Sequence, residues 1–122
     1  MNCPKVFAPT AGRPSQREAV DYSNYFLNVL AGRKAAGDAR LLATEAGWLA
    51  FNRVRRRVPT RFSRVRVVRA ASPTRDSTEV VAMVENGCAR QAMTFTFRAT
   101  MNGWRLDHCD LLEANRLTRR RR

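Results

Sequence analysis

TEVVAMVENGCARQAMTFTFR, residues 78–98, is the stretch of sequence that decides the fold class. Strand-like residues on both sides flank Asn86-Gly87, and this dipeptide between two such runs is a short-range signal for a hairpin. In the second run the larger apolar residues alternate with threonine and arginine: Met93, Phe95 and Phe97 fall on one side. A period of two predicts strands with one buried face.

The flanking residues extend this hairpin into a larger sheet. Before it, residues 63–69 (SRVRVVR) alternate valine with arginine, and residues 72–77 (SPTRDS) predict a loop. After it, Asn102-Gly103 marks a second hairpin turn, and residues 104–112 (WRLDHCDLL) predict the last strand. The second half of the chain is therefore expected to form a four-stranded antiparallel meander.

A first helix is predicted at the beginning of the chain. Ser15 and Glu18 have the spacing of a capping box, in which each side chain bonds the backbone amide of the other residue. Apolar residues then recur at steps of three and four, and Gly32 followed by two cations predicts the helix end.

A second helical segment is predicted between this glycine and the sheet. Asp38 is its candidate N-cap, and Pro59 ends it because the residue before a proline is pushed out of the helical region. Thr44 and Gly47 predict a break, so the segment forms either one long helix or two short ones. Two or three helices followed by strands give an α+β fold, with the helices on one face of a curved sheet.

Length and composition predict one domain with two short basic or flexible ends. The 122 residues divide into an N-terminal arm rich in proline (1–14), the α+β domain (15–113) and a basic tail (114–122). No segment has the ~20 consecutive apolar residues of a membrane span, and the first residues do not predict a signal peptide. The three cysteines have no zinc-site spacing, which predicts reduced thiols, no metal, no cofactor and a cytoplasmic location.

Charge is the most unusual property of the chain. Lysine and arginine number 23 against 10 acidic residues, a net charge of +13, and residues 53–69 (RVRRRVPTRFSRVRVVR) hold eight arginines and no acidic residue. Such a field attracts nucleic acid, anionic lipid or an acidic protein face. We expect a helix end and a strand face to join here into one basic surface, extended by Arg98, Arg105 and the tail. Its predicted partner-binding residues are Arg53, Arg56, Arg57, Arg64 and Arg66.

Several segments resemble a family of small actinobacterial proteins that are rich in alanine, arginine and proline. They are LNVLAGRKAAGDARLL (27–42), GWLAFNRVRRR (47–57), RVRVVRAASPTRDSTEVVAMVENGCARQAMTFTFR (64–98) and GWRLDHCDLL (103–112). Together they lie within residues 16–112. The resemblance implies a cystatin-like or NTF2-like fold with no assigned activity. Genes of this family often lie near that of the SecA translocation ATPase, which implies a link to protein export. Members often carry a longer N-terminal region than the fourteen residues present in this chain.

His108 is the candidate for catalysis, because Cys109 follows it and a thiol beside an imidazole suggests a cysteine–histidine pair. Neighbouring residues on a strand point to opposite faces, so the two side chains are not expected to meet. We expect His108 to share the face of Trp104 and Leu106, at the edge of the core. A catalytic role would need the sheet to curve around a pocket, as in NTF2-like enzymes. The partners available for such a pocket are Asp21, Tyr22 and Tyr25.

Three functions follow from these observations, in decreasing order of preference. The first is a non-enzymatic interaction module that binds an acidic protein partner, with a link to export implied by the resemblance. The second is sequence-nonspecific binding of RNA or DNA through phosphates; the strand face opposite Phe95 and Phe97 carries threonine and arginine, which does not favour base stacking. The third is an NTF2-like enzyme or small-ligand binder. An uncovered sheet face would favour a homodimer.

Overall fold

The computed structural model describes residues 16–58, 64–86 and 89–112. Within them, the elements are α1 (Gln16–Leu30), α2 (Ala36–Ala39), a 3-10 turn (Arg40–Leu42), α3 (Glu45–Arg57), β1 (Arg64–Thr74), β2 (Ser77–Asn86), β3 (Ala89–Thr100) and β4 (Gly103–Leu112). The four strands lie side by side in sequence order, and each pair is antiparallel. The predicted α+β class, with helices before a four-stranded meander, is confirmed. The predicted N-terminal arm and basic tail lie outside the described residues.

Helix α1 ends as the sequence predicts. Gly32 has a φ of +79°, which favours glycine. Its amide donates to the carbonyl of Val29 at 3.0 Å, and the amide of Arg33 donates to Asn28 at 2.8 Å. These two bonds form a Schellman motif, which satisfies carbonyls that a helix end leaves without partners. Ser15, half of the predicted capping box, lies outside the described residues.

The segment after α1 is broken at Thr44, as predicted, whereas Gly47, the other residue predicted to break it, lies inside α3. Thr44 is the N-cap of α3, and its hydroxyl accepts a hydrogen bond from the amide of Gly47 at 3.0 Å. The predicted N-cap at Asp38 is wrong, because the N-cap of α2 is Ala35. Asp38 lies inside α2 instead.

The helical half ends at Arg57, and Val58 already has an extended backbone with ψ at 139°, as expected for a residue before a proline. The loop predicted over residues 72–77 is wrong. Thr74 pairs with Ser77, so only two residues form the turn. The hydroxyl of Thr74 accepts from the amide of Asp76 at 3.3 Å, and this side-chain bond closes the turn tightly.

The other two hairpins lie where the Asn-Gly pairs predict them. Asn86 pairs with Ala89, and the two residues between them lie outside the description. Thr100 pairs with Gly103, so the second turn is formed by residues 101–102 and precedes the glycine. Gly103 has a φ of +107°, which explains why glycine opens the last strand.

The helices cover one face of the sheet, which we call the inner face; the opposite one is the outer face. Helix α1 packs on β1 and β2, and α3 packs on β4. Between the layers, the rings of Phe26 and Phe51 meet edge to face with centroids 4.8 Å apart. Across the described ranges, no helix is long and apolar enough to cross a membrane.

Candidate functional site

A β-bulge in β4 determines where the candidate catalytic residues point. Phe97 pairs with Leu106 and Thr96 pairs with His108, so β4 contributes one residue more than β3, namely Asp107. The extra residue reverses the alternation of faces. Leu106 is buried on the inner face, whereas His108 is exposed on the outer face. The prediction that His108 shares the face of Leu106 is therefore wrong.

The bulge is held in place by α3 and β3. The carboxylate oxygen Oδ1 of Asp107 accepts a hydrogen bond from the hydroxyl of Thr44 at 2.9 Å and forms an ion pair with Arg98 at 3.3 Å. The amide of Thr44 donates to the carbonyl of Leu106 at 2.8 Å. Arg98, which was predicted to extend the basic surface, is therefore engaged in holding this part of the fold.

Cys109 follows His108 but lies on the inner face, where it is almost fully buried. Burial raises the pKa of the Cys109 thiol, and the neighbouring Asp110 carboxylate raises it further. A buried, protonated thiol is a poor nucleophile. Because the imidazole of His108 lies on the other face of the sheet, the two side chains do not form a catalytic pair, as strand alternation predicts.

The inner face is filled by side chains. Met93, Phe95 and Phe97 have no exposed surface, and the ring of Tyr22 packs 6.1 Å from that of Phe97. His108 does not belong to this face, so it does not line a cavity with the groups on α1. Nor does the described part of the chain bring together three or more residues of the kinds that bind metals.

The two strand arginines predicted to bind a partner lie together. Arg64 and Arg66 project from the outer face of β1, and Glu85 on β2 lies between them at 4.0 Å and 3.9 Å from their guanidinium nitrogens. The side chains of these arginines are 70% and 51% exposed, so both ion pairs are at the surface and contribute little to stability. Glu85 therefore neutralises part of the positive charge of Arg64 and Arg66.

The helix arginines form a separate group. Arg53, Arg56 and Arg57 are exposed on α3, which packs on β4 at the edge of the sheet opposite to β1. Helix α3 also covers the inner face, whereas Arg64 and Arg66 lie on the outer face. The structure thus places the five predicted residues on two elements, with Arg53, Arg56 and Arg57 on α3 and Arg64 and Arg66 on the outer face of β1. Pro59, which lies between the two groups in the sequence, is outside the described residues.

The outer face itself has a feature that sequence reasoning missed. Val81 and Met83 on β2, Ala92 and Thr94 on β3, and Leu112 on β4 form a stripe of partly exposed, mostly apolar side chains that no described element covers. The signal was present in the run VVAMV of β2. A strand that is apolar at consecutive positions, rather than at alternate ones, is expected to contact apolar surroundings on both faces.

Comparison with known proteins finds no family model that matches the chain, and neither curated proteins nor solved structures give a match. The structure defines the class directly: an α+β domain with helices on one sheet face, a basic helix end, and a second sheet face left uncovered by the described residues.

Proposed function

We propose that this chain is a non-enzymatic binding module whose helix α3 presents the surface for an acidic protein partner. The observation that carries the proposal is the distribution of charge on α3. Arg53, Arg55, Arg56 and Arg57 are all exposed, and α3 contains no acidic residue after Glu45 in its first turn. We call these four residues the α3 arginine surface.

Stabilisation of the helix does not by itself account for this surface. Cations near a helix C-terminus contribute typically 0.3–1 kcal/mol through the helix dipole, an effect confined to about the last turn. Arg53 lies before that turn. Arg55 packs over the ring of Phe51 and donates to Asn52 at 3.1 Å, so it is held in position on α3. Ordinary solvated helices mix the two signs of charge, and this end of α3 does not.

The apolar neighbour of the arginines favours a protein over a nucleic acid. Leu49 lies one turn before Arg53 on the same side of α3, and its side chain is 58% exposed. An exposed leucine beside arginines resembles the mixture of apolar centre and charged rim found in protein interfaces. Carboxylates of the partner would bind the guanidinium groups in a fork geometry, and the net positive charge would accelerate association.

Binding of RNA or DNA through phosphates is the competing function. Among the described residues, the phenylalanines and Trp104 are buried, and Trp48, Tyr22 and Tyr25 are half-buried. The described surface therefore offers arginines for phosphates but no fully exposed ring for base stacking. The cytoplasmic location and the cystatin-like or NTF2-like relationship belong to the same proposal. If the family resemblance holds, components of protein export are the first partners to test.

The proposal is tested by purifying the tagged full chain from cells with and without nuclease, and identifying the retained proteins by mass spectrometry. The decisive variant is Arg53→Glu/Arg56→Glu. Its matched control is Arg33→Glu/Arg75→Glu, because both of these arginines are exposed elsewhere in the fold and the change in net charge is identical. We expect a protein that survives nuclease treatment with the wild type and the control, and that is at least about tenfold depleted with the α3 variant.

Two results would contradict this function. If the same proteins are retained equally by the α3 variant and its control, net charge alone explains binding and α3 is not the site. If nuclease treatment removes all of the retained proteins, binding of RNA or DNA replaces the acidic protein partner as the favoured function. In that case the affinity for duplex DNA should fall with salt by about 0.9 logarithmic units per phosphate contact for each unit of log salt concentration.

A further inference from the structure

The outer face of the sheet has the composition of a protein interface and is distinct from the α3 arginine surface. Its centre is the apolar stripe defined above, and Val68 beside it is 51% exposed while Leu112 is 45% exposed. Apolar side chains that lie together on a sheet face and outside the core of their own chain mark a docking surface. The charges around the stripe indicate which partner fits.

The two edge strands of the outer face differ in charge. The β1 edge carries Arg64, Arg66 and Arg69, with no acidic residue on that strand. At the opposite edge, β4 carries Asp110 on this face, together with His108 and, beyond the bulge, Arg105. The register places Arg69, Val81, Thr94 and Asp110 in one row across the four strands. Because this row begins with a basic residue and ends with an acidic one, the outer face can pair opposite charges with an identical face.

From this pattern we infer that the outer face binds the outer face of a second copy of the chain. Two stacked sheets with aligned strands have two simple two-fold arrangements. An axis perpendicular to the strands places β1 over its own copy, so that arginines oppose arginines. An axis parallel to the strands, between β2 and β3, places β1 of one copy over β4 of the other. The second arrangement pairs opposite charges in the row of Arg69 and Asp110.

The second arrangement also avoids like charges in the two rows towards the β2–β3 turn. Arg69 of each copy faces Asp110 of the other, and Met83 faces Ala92 at the centre of the stripe. In the row nearest the β2–β3 turn, Glu85 faces Arg90, again with opposite charges. No like charges are opposed in these rows. The resulting order of layers is helix, sheet, sheet, helix, so each copy's α3 lies on the outside of the dimer.

The size of the face is sufficient for a weak dimer. Strands about 4.8 Å apart that rise about 3.3 Å per residue give a four-stranded face on the order of 600 Å² for ten-residue strands. Two such faces bury on the order of 1,200 Å², the lower end of the range for stable interfaces. We therefore expect reversible dimers with a dissociation constant on the order of micromolar.

Sedimentation of the full chain across a concentration series, under reducing conditions because of the three cysteines, tests this inference. The wild type is expected to shift from 13.9 kDa towards twice that mass as concentration rises. Met83→Glu places a charge at the centre of the interface and should raise the dissociation constant at least about tenfold. Leu41→Glu is the matched control, because Leu41 is 75% exposed in the 3-10 turn, outside the sheet.

Charge-reversal variants test whether the dimer has the two-fold axis parallel to the strands. Arg69→Glu and Asp110→Arg should each weaken the dimer, because each opposes like charges across the interface. The double variant Arg69→Glu/Asp110→Arg should restore at least half of the lost association. A chain that is monomeric at all concentrations would overturn the inference, as would dimers that Met83→Glu leaves unchanged. A double variant that is no better than either single one would overturn the arrangement. Circular dichroism of each variant confirms that it is folded.

Discussion

The backbone of Gly47 on α3 lies directly against the carbonyl of Leu106 on β4. A Cβ atom added to Gly47 would overlap both the oxygen and the carbon of that carbonyl. Since these are backbone atoms, neither can move away as a flexible side chain could. The contact brings α3 close enough for Thr44 to hydrogen bond to the bulge in β4. Glycine is thus required here by the approach of two backbones, and its φ is not in the left-handed region.

Gly47→Ala is therefore expected to destabilise the fold. Alanine is preferred over glycine inside a helix by about 1 kcal/mol, but overpacking against a fixed backbone typically costs about 1–3 kcal/mol, so we expect a net loss of up to about 2 kcal/mol. Chemical denaturation measures it. Gly37→Ala is the matched control, because a Cβ at Gly37 would meet nothing within 4 Å; this change should be neutral or stabilising. Equal effects of the two variants would contradict the account.

A second prediction concerns the side chain of Thr44, which takes part in the same contact between α3 and β4. Its hydroxyl accepts from the amide of Gly47 and donates to the carboxylate of Asp107, so one oxygen atom joins the start of α3 to the bulge. Thr44→Val keeps the shape but removes both bonds, and should cost about 1–2 kcal/mol of unfolding free energy. Thr44→Ser keeps the hydroxyl and should retain most of the stability. The account fails if serine and valine are equally destabilising in urea denaturation.

The sequence predicts those parts of the fold that depend on local rules. Gly32 ends α1 because a left-handed residue is needed there, and Pro59 follows directly on the last residues of the helical half. The Asn-Gly pairs place two hairpins within a residue of their observed positions. Each of these signals acts over four or five residues, so a single sequence contains all the information that they need.

What the sequence does not reveal depends on contacts between distant elements. The bulge at Asp107 follows from its bonds to Thr44 and Arg98, and strict alternation through β4 therefore assigns His108 to the wrong face. The placement of the helix arginines beside β4 and of Arg64 and Arg66 on β1 has the same origin. It depends on which edge of the sheet α3 covers, and no pattern within a few residues of the sequence predicts that edge.

The buried thiol of Cys109 predicts a dependence of stability on pH. Burial raises its pKa in the folded state above the value of about 8.5 in the unfolded chain. Above that pH the unfolded state releases a proton that the folded state retains, so the unfolding free energy should fall as pH rises. The limiting slope for one group is about 1.4 kcal/mol per pH unit.

The measurement is urea denaturation of the wild type and of Cys109→Ala between pH 7 and about pH 9.5. The alanine variant lacks this thiol and is expected to lose less stability over the alkaline half of the range, even if it is less stable at pH 7. Parallel pH profiles would show that another group is responsible. As an independent readout, Cys109 of the folded chain should react with an alkylating reagent only when the structure opens, because its side chain is inside the core.

The two proposed surfaces make a joint prediction about avidity. In a dimer formed through the outer faces, each copy carries its α3 arginine surface on the outside, so one dimer can hold two acidic sites at once. Two linked sites typically bind a dense surface at least 10²-fold more tightly than one. We expect the wild type and Met83→Glu to bind a short polyglutamate peptide in solution with equal affinity. On the same peptide immobilised at high density, the wild type should be retained longer. Arg53→Glu/Arg56→Glu should lose affinity in both formats, and equal retention of the wild type and Met83→Glu on the dense surface would exclude bivalent binding.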